Sequence, residues 1–269
     1  MIVSSIIWDT SPDLVNLGPF TVRWYGFLFA LGFFLGYLVL QRIFRREGKP
    51  ENDVGTLLLY VLCGAIIGAR LGHCLLYEPA YYLARPGEIL LIWRGGLASH
   101  GGAAGILIAL YFYNRNRPGQ TYLWLLDRIA IPVALAGSLI RIGNLFNSEI
   151  IGTPSRLPWA LVFARAGIVP LQPRHPAMLY EAAAYLAIFC ILLFLYRKQG
   201  SRVPPGELIG LFLITVFTAR FLIEYVKVPQ AAYRLPLPLS VGQLLSVPAV
   251  IAGIILLAGS RKRRIPRRR

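Results

Sequence analysis

Apolar residues run along this chain in seven long blocks, near 20–40, 54–76, 96–113, 121–143, 177–196, 207–226 and 239–259. Each is close to the ~20 residues an α-helix needs to cross about 30 Å of hydrocarbon. The pattern predicts an all-α polytopic membrane protein with seven transmembrane helices, in a single integral membrane domain over 1–269. The longest polar interval, about 144–176, is rich in Pro and Arg (TPSRLPW, VPLQPRHP). It is too short to bury a core of its own and reads as a cap over a membrane site. Residues 77–95 (YEPAYYLARPGEILLIWRG) mix Tyr and Trp with apolar and charged residues, the composition of an arm lying in the membrane interface.

Composition agrees: 56% of residues are hydrophobic, 15% are charged and the mean hydropathy is +0.59. The net charge of +16 would suggest nucleic acid in a soluble domain, but here it carries topology, and no nucleic-acid partner is expected. The connections at 41–53, 114–120, 197–206 and 260–269 hold sixteen Lys and Arg, whereas 1–19, 77–95, 144–176 and 227–238 hold seven. By the positive-inside rule the first set is cytoplasmic, so the N-terminus lies outside and the basic tail 260–269 inside, with an odd number of spans. That tail is suited to anionic lipid head groups or to topology alone. The N-terminus lacks the basic region and cleavage site of a signal peptide, so the first span reads as retained. Cys63, Cys74 and Cys190 all fall inside spans and read as small buried apolar residues. Gly32 and Gly36, Gly64, Gly68 and Gly72, and Gly101 and Gly105 recur at four-residue spacing, which predicts close helix packing.

Polar residues within or at the ends of the spans carry the chemical information: Arg23, Tyr25, Arg70, His73, His100, Asp127, Arg128, Arg141, Asn144, Glu149, His175, Glu181, Arg220 and Glu224. A charge at membrane depth costs at least ~2.5 kcal/mol, so each has a partner or a task. Mutual neutralisation is the plain alternative, with Arg220 facing Glu224 at i,i+4 and Asp127 facing a neighbouring Arg. In GGLASHGG four glycines permit close approach of backbone or ligand to His100, whose imidazole titrates near neutrality and can accept a proton. His175 and Glu181 read as capping or packing residues. Tyr25, His100, Arg141 and Glu224 all fall near the outer ends of their spans and are expected to converge on one outer-leaflet cavity.

Six motifs then occur in order: RWYG (23–26), GARLGHCLLYE (68–78), GGLASHGG (95–102), RIGNLFNSEIIG (141–152), HPAMLYE (175–181) and RFLIEY (220–225). Together they resemble the bacterial phosphatidylglycerol–prolipoprotein diacylglyceryl transferase family over about residues 8–228. The resemblance implies a multi-pass enzyme of the bacterial inner membrane with a seven-helix core. Such an enzyme moves the diacylglyceryl group of phosphatidylglycerol onto the lipobox cysteine in a prolipoprotein signal peptide, forming a thioether and releasing glycerol 1-phosphate. It also implies catalytic roles for His100, Arg141, Arg220 and Tyr25, and substrate binding by Arg141, Asn144, Glu149, Gly152 and Glu224. The chain departs from the family's usual residues at Ser99, Leu145, Ser148 and Val216, the last standing where a tyrosine often precedes the second arginine.

The chemistry is consistent with those residue types. Only a thiolate is a useful nucleophile, and a free Cys has a pKa near ~8.5, so a base or a nearby cation is required. Arginine's planar fork suits the charge that grows on a departing phosphate. Neither a cofactor nor a metal is implied, and the chain contains no HExxH, Walker-type loop or dinucleotide fingerprint. A transporter would place its polar residues at the bilayer midplane. An acyltransferase of another type would carry an HxxxxD pair, and neither His73 nor His100 has an Asp at that spacing.

Overall fold

The structure, a computed structural model, describes residues 6–228 and 239–264. The first five residues, most of the expected connection 227–238 and the end of the basic tail (265–269) lie outside the described residues. The helices are α1 (Trp24–Arg46), α2 (Asn52–Leu76), α3 (Pro79–Ala84), α4 (Ser99–Arg115), α5 (Tyr122–Phe146), α6 (Ala177–Gln199), α7 (Glu207–Ile223) and α8 (Val241–Arg264). Four short strands join them: β1 (Ile6–Trp8), β2 (Asp13–Leu17), β3 (Phe20–Arg23) and β4 (Leu161–Phe163).

The chain is thus mostly helical and polytopic, with six helices among the described residues long and apolar enough to cross a membrane. At 17 residues α4 is shorter than those six, of which α7 reaches 20 residues by continuing through the 3₁₀ turn to Val226. Gly95 and Gly96 take positive φ angles of 86° and 72°, so the helix starts at Ser99 rather than near 96. Similarly α1 starts at Trp24 because Phe20–Arg23 pairs with β2 as an antiparallel hairpin. It continues past residue 40 because Ile43 and Phe44 are buried. Strands were not expected, since segments of three to five residues leave little trace in a hydropathy pattern.

The chain divides into two compact units, 1–40 with 126–269, and 41–125. In the unit 41–125, α2 and α4 pack through their glycines. A Cβ at Gly64 would lie 2.7 Å from the Gly105 carbonyl oxygen, and one at Gly101 would strike that of Gly68. This is the close approach predicted from the spacing, and it lets dispersion forces act between backbones where no hydrophobic drive operates. Buried Arg70 on α2 gathers the arm that follows α3. Its guanidinium donates to the carbonyls of Glu88 (2.6 Å), Ile89 (2.9 Å), Gly95 (2.6 Å) and Gly96 (3.3 Å) and lies over the Tyr82 ring. Its charge is therefore solvated by backbone dipoles. Leu83, Leu90 and Trp93 on the arm remain exposed.

In the other unit, β1 pairs in parallel with β4, Ile6 opposite Leu161 and Trp8 opposite Phe163. Leu145, Ile151, Leu161, Phe163 and Met178 form a buried cluster against which Trp8 and Val228 pack. The segment 144–176 thus shares its core with β1 and with the ends of α5 and α6. A Cβ at Gly36 would lie 3.2 Å from Pro132 on α5, and Gly210 and Gly253 bring α7 and α8 closer still, a Cβ at Gly210 lying 2.9 Å from the Gly253 carbonyl oxygen. Asp127 forms the ion pair with a neighbouring arginine expected of it, but its shorter contacts are with backbone N–H groups. Its carboxylate accepts the N–H groups of Gly206 (2.7 Å) and Ile209 (2.9 Å), and Arg128 stands at 3.8 Å. The carboxylate caps α7 from another helix, where bare N–H donors and the positive end of the helix dipole favour an anion.

Candidate active site

The last turn of α5 delivers Arg141 and Asn144, and the chain then leaves the helix through a constrained turn. The N–H of Glu149 donates to the Asn144 carbonyl at 2.9 Å, and Ser148 and Ile150 on either side of it take φ angles of +53° and +57°. A β-branched residue in that region is strained, and strain of this kind persists only where the surroundings impose the geometry. Its effect is to aim the Glu149 carboxylate back at the helix end. There Asn144 Nδ2 (3.1 Å) and Asn147 Nδ2 (3.1 Å) donate to its two oxygens.

From Asn144 a continuous polar chain crosses the unit. Asn144 Oδ1 accepts from Arg141 Nη1 at 3.2 Å, and Arg141 Nε lies 2.8 Å from Glu181 Oε2 on α6. Glu181 is fully buried and its other oxygen meets Lys227 Nζ at 3.2 Å. Lys227, also buried, reaches Glu224 Oε2 at 3.3 Å, and Ser240 Oγ donates to Glu224 Oε1 at 3.1 Å. Charges of alternating sign along this path stabilise one another in a medium too apolar to hold any of them singly.

Glycines make the approaches possible. A Cβ at Gly143 would lie 3.0 Å from the Tyr25 ring, and one at Gly242 would lie 2.6 Å from Glu224 Oε1. Gly152 sits where three strands of backbone meet, its N–H donating to the His175 carbonyl at 2.9 Å. A Cβ there would fall 2.5 Å from His175 Cβ and 2.6 Å from the Val226 carbonyl. The adjacent Thr153 N–H donates to Val226, and Gly152 bridges to Lys227, so this junction sets the position of the lysine.

The structure therefore brings together Arg141, Asn144, Glu149, Gly152 and Glu224. Tyr25 lies in the field of Glu149 and Arg141. Arg220 has no hydrogen bond or ion pair among the described residues, although the Tyr185 phenol lies in its field and in that of Arg141. The Arg220–Glu224 pair expected from i,i+4 spacing does not form. Helix α7 ends at Ile223 and a tighter 3₁₀ turn over Glu224–Val226 follows, presenting Lys227 to Glu224. His100 belongs to the unit 41–125, in the first turn of α4. Its ring is exposed and without a hydrogen-bond partner among the described residues. The glycines around it serve α2: a Cβ at Gly96 would lie 2.6 Å from His73 Nε2, and Gly101 packs on Gly68.

Arg141 is the most informative side chain. Glu181 lies against its Nε and Asn144 accepts from its Nη1, its side chain is 15% exposed, and its terminal nitrogens keep donors for an added anion. Among the described residues no group of His, Cys, Asp and Glu is arranged to hold a metal ion.

Comparison with known sequences decides the family: the prolipoprotein diacylglyceryl transferase model matches residues 12–259. The chain belongs to the prolipoprotein diacylglyceryl transferase family. It is 54% identical to the phosphatidylglycerol–prolipoprotein diacylglyceryl transferase of Chloroherpeton thalassium over 259 residues, covering 96% of both chains. The transferase of Tolumonas auensis is also 54% identical, over 96% of this chain and 98% of its own. That of Porphyromonas gingivalis is 44% identical over 94% and 93%.

Within this transferase fold, two residues of the polar chain and one beside it were missed or misjudged in the sequence. Glu181 was read as a cap or packing residue, and Lys227 and Tyr185 were not singled out. Glu181 and Tyr185 are one turn apart on α6, a spacing that places an acid and a phenol on one face of a span. That was the available signal.

Proposed function

We propose that this chain transfers the diacylglyceryl group of phosphatidylglycerol to the lipobox cysteine of prolipoproteins. The activity is that of its family, a transferase acting in the first step of lipoprotein maturation. The observation that supports the site best is the Arg141 guanidinium, anchored by an ion pair to Glu181 and a hydrogen bond to Asn144 with donors to spare. A rigid planar fork of this kind binds phosphate in a bidentate way without risk of losing its proton.

In the proposed reaction the cysteine thiolate attacks a glycerol carbon of phosphatidylglycerol. The carbon–sulfur bond forms as the carbon–oxygen bond to the phosphate breaks, and glycerol 1-phosphate departs with the bonding electrons. Arg141 and Arg220 bind the phosphate and stabilise the charge that develops on it, the kind of preorganised term that contributes several kcal/mol, typically about 3–4. His100 takes the thiol proton, Tyr25 and Asn144 complete the wall of the site, and Glu149 and Glu224 hold the cations in register. Gly152 keeps the Lys227 junction closed. No cofactor is required.

The reading places seven helices in the bacterial inner membrane, α4 being the seventh, in a single integral domain. The N-terminus and the cap are outside and the basic tail is cytoplasmic. Purified protein given labelled phosphatidylglycerol and a lipobox peptide is expected to move label to the peptide cysteine, and not to a Cys→Ser peptide. Folded protein that transfers no label would remove the proposal.

A further inference from the structure

The reading above assigns the phosphate to arginines, yet the side chain that ties the network together is a lysine outside the six motifs. Lys227 is buried, with its ammonium 3.2 Å from Glu181 Oε1 and 3.3 Å from Glu224 Oε2. Glu181 has no exposed surface, and its second oxygen faces Arg141 Nε at 2.8 Å. A fully buried carboxylate between two cations has its position set by both. If the lysine were removed, Glu181 and Glu224 would be left as buried anions with Arg141 as the nearest ion partner of Glu181. The guanidinium would be drawn in and its fork turned from the opening. The formal charges also balance: Arg141, Arg220 and Lys227 oppose Glu149, Glu181 and Glu224. Of the three cations, Arg220 alone lacks an ion pair among the described residues. The site thus holds one cation ready for an arriving anion, provided that Lys227 occupies the two carboxylates.

We infer that Lys227 is a positioning residue for the phospholipid phosphate, acting through Glu181 to hold Arg141 in its binding orientation and through Glu224 to keep a carboxylate away from Arg220. This inference rests on the proposed transferase reaction. It differs from a packing role because it predicts which substrate suffers.

The test is a kinetic comparison of Lys227→Met, Lys227→Arg and the double variant Glu181→Gln/Lys227→Met with the unaltered protein. Each is normalised to folded, detergent-extracted molecules, and phosphatidylglycerol and the lipobox peptide are varied separately. Lys227→Met is expected to raise KM for phosphatidylglycerol about 10-fold or more and to leave KM for the peptide unchanged, with Lys227→Arg restoring most of the loss. If Lys227→Met fails to insert, the double variant carries the test, because it leaves Glu181's site without an uncompensated charge yet deprives Arg141 of its anion. Its KM for phosphatidylglycerol is expected to be raised as well. An unaltered KM for phosphatidylglycerol in the folded variants, a rise confined to the peptide, or an arginine variant as impaired as methionine would overturn the inference. Absence of transfer by the unaltered protein would instead strike the reaction itself, so the two failures are distinct.

Discussion

Ser148 and Ile150 show how much the turn after α5 is asked to do. Ser148 sits at φ +53°, and its buried hydroxyl has no hydrogen-bond partner among the described residues. Both features are unfavourable, and glycine relieves both, because it adopts left-handed backbone freely and carries no hydroxyl. Ser148→Gly is therefore expected to stabilise the protein by about 1–2 kcal/mol, read as a rise in the thermal midpoint in detergent. An unchanged or lowered midpoint would mean the turn is not strained as described. The neighbouring junction gives the opposite sign. Gly152→Ala forces a methyl group against His175 and the Val226 carbonyl, and is expected to cost about 1–3 kcal/mol and most of the transfer activity by displacing Lys227. Activity within two-fold of the unaltered protein would contradict that account. Arg141, Asn144 and Glu149 were legible in the sequence because they share one short stretch and stand out from apolar surroundings. Glu181 was not, because its partners Arg141 and Lys227 lie 40 and 46 residues away; Lys227 has a local partner in Glu224, three residues earlier, but falls just past the apolar block 207–226.

Arg70 illustrates the same lesson for the arm between α2 and α4. Its position inside a span marked it as expensive, but its partners proved to be four backbone carbonyls, which have no signature in a sequence. Arg70→Met removes those donors while keeping much of the apolar stem, and is expected to free the arm. Chymotrypsin cleavage after exposed Trp93 is then expected to quicken at least ~10-fold, with α2 and α4 still protected. Equal cleavage rates would show that the arm is held by other contacts. The hydropathy blocks located each long helix, because ~20 apolar residues leave few alternatives to a span. They misplaced several helix ends, where glycines with positive φ, hairpin pairing and burial of residues beyond the apolar block decide the boundary. The parallel pairing of β1 with β4 joins segments 155 residues apart, and no pattern of three residues predicts such a partner.

The distribution of Lys and Arg makes a claim about the chain as a whole that thiol labelling can read. In a variant with Cys63, Cys74 and Cys190 replaced by Ala, a cysteine at Arg156 is expected to react with a membrane-impermeant maleimide from outside. One at Ser201 is expected to react only after permeabilisation. The reverse pattern would invert the orientation. Family membership over residues 12–259, the anchored Arg141 and an Arg220 without an ion pair among the described residues make anion capture by arginine the centre of the account. Transfer of label from phosphatidylglycerol to a lipobox peptide by the unaltered protein and by Arg141→Lys, compared at equal folded concentration, tests it most directly. Lysine keeps the charge and loses the planar fork, so the account predicts normal insertion and a fall in turnover of about 100-fold or more. Equal turnover by the two proteins would contradict it.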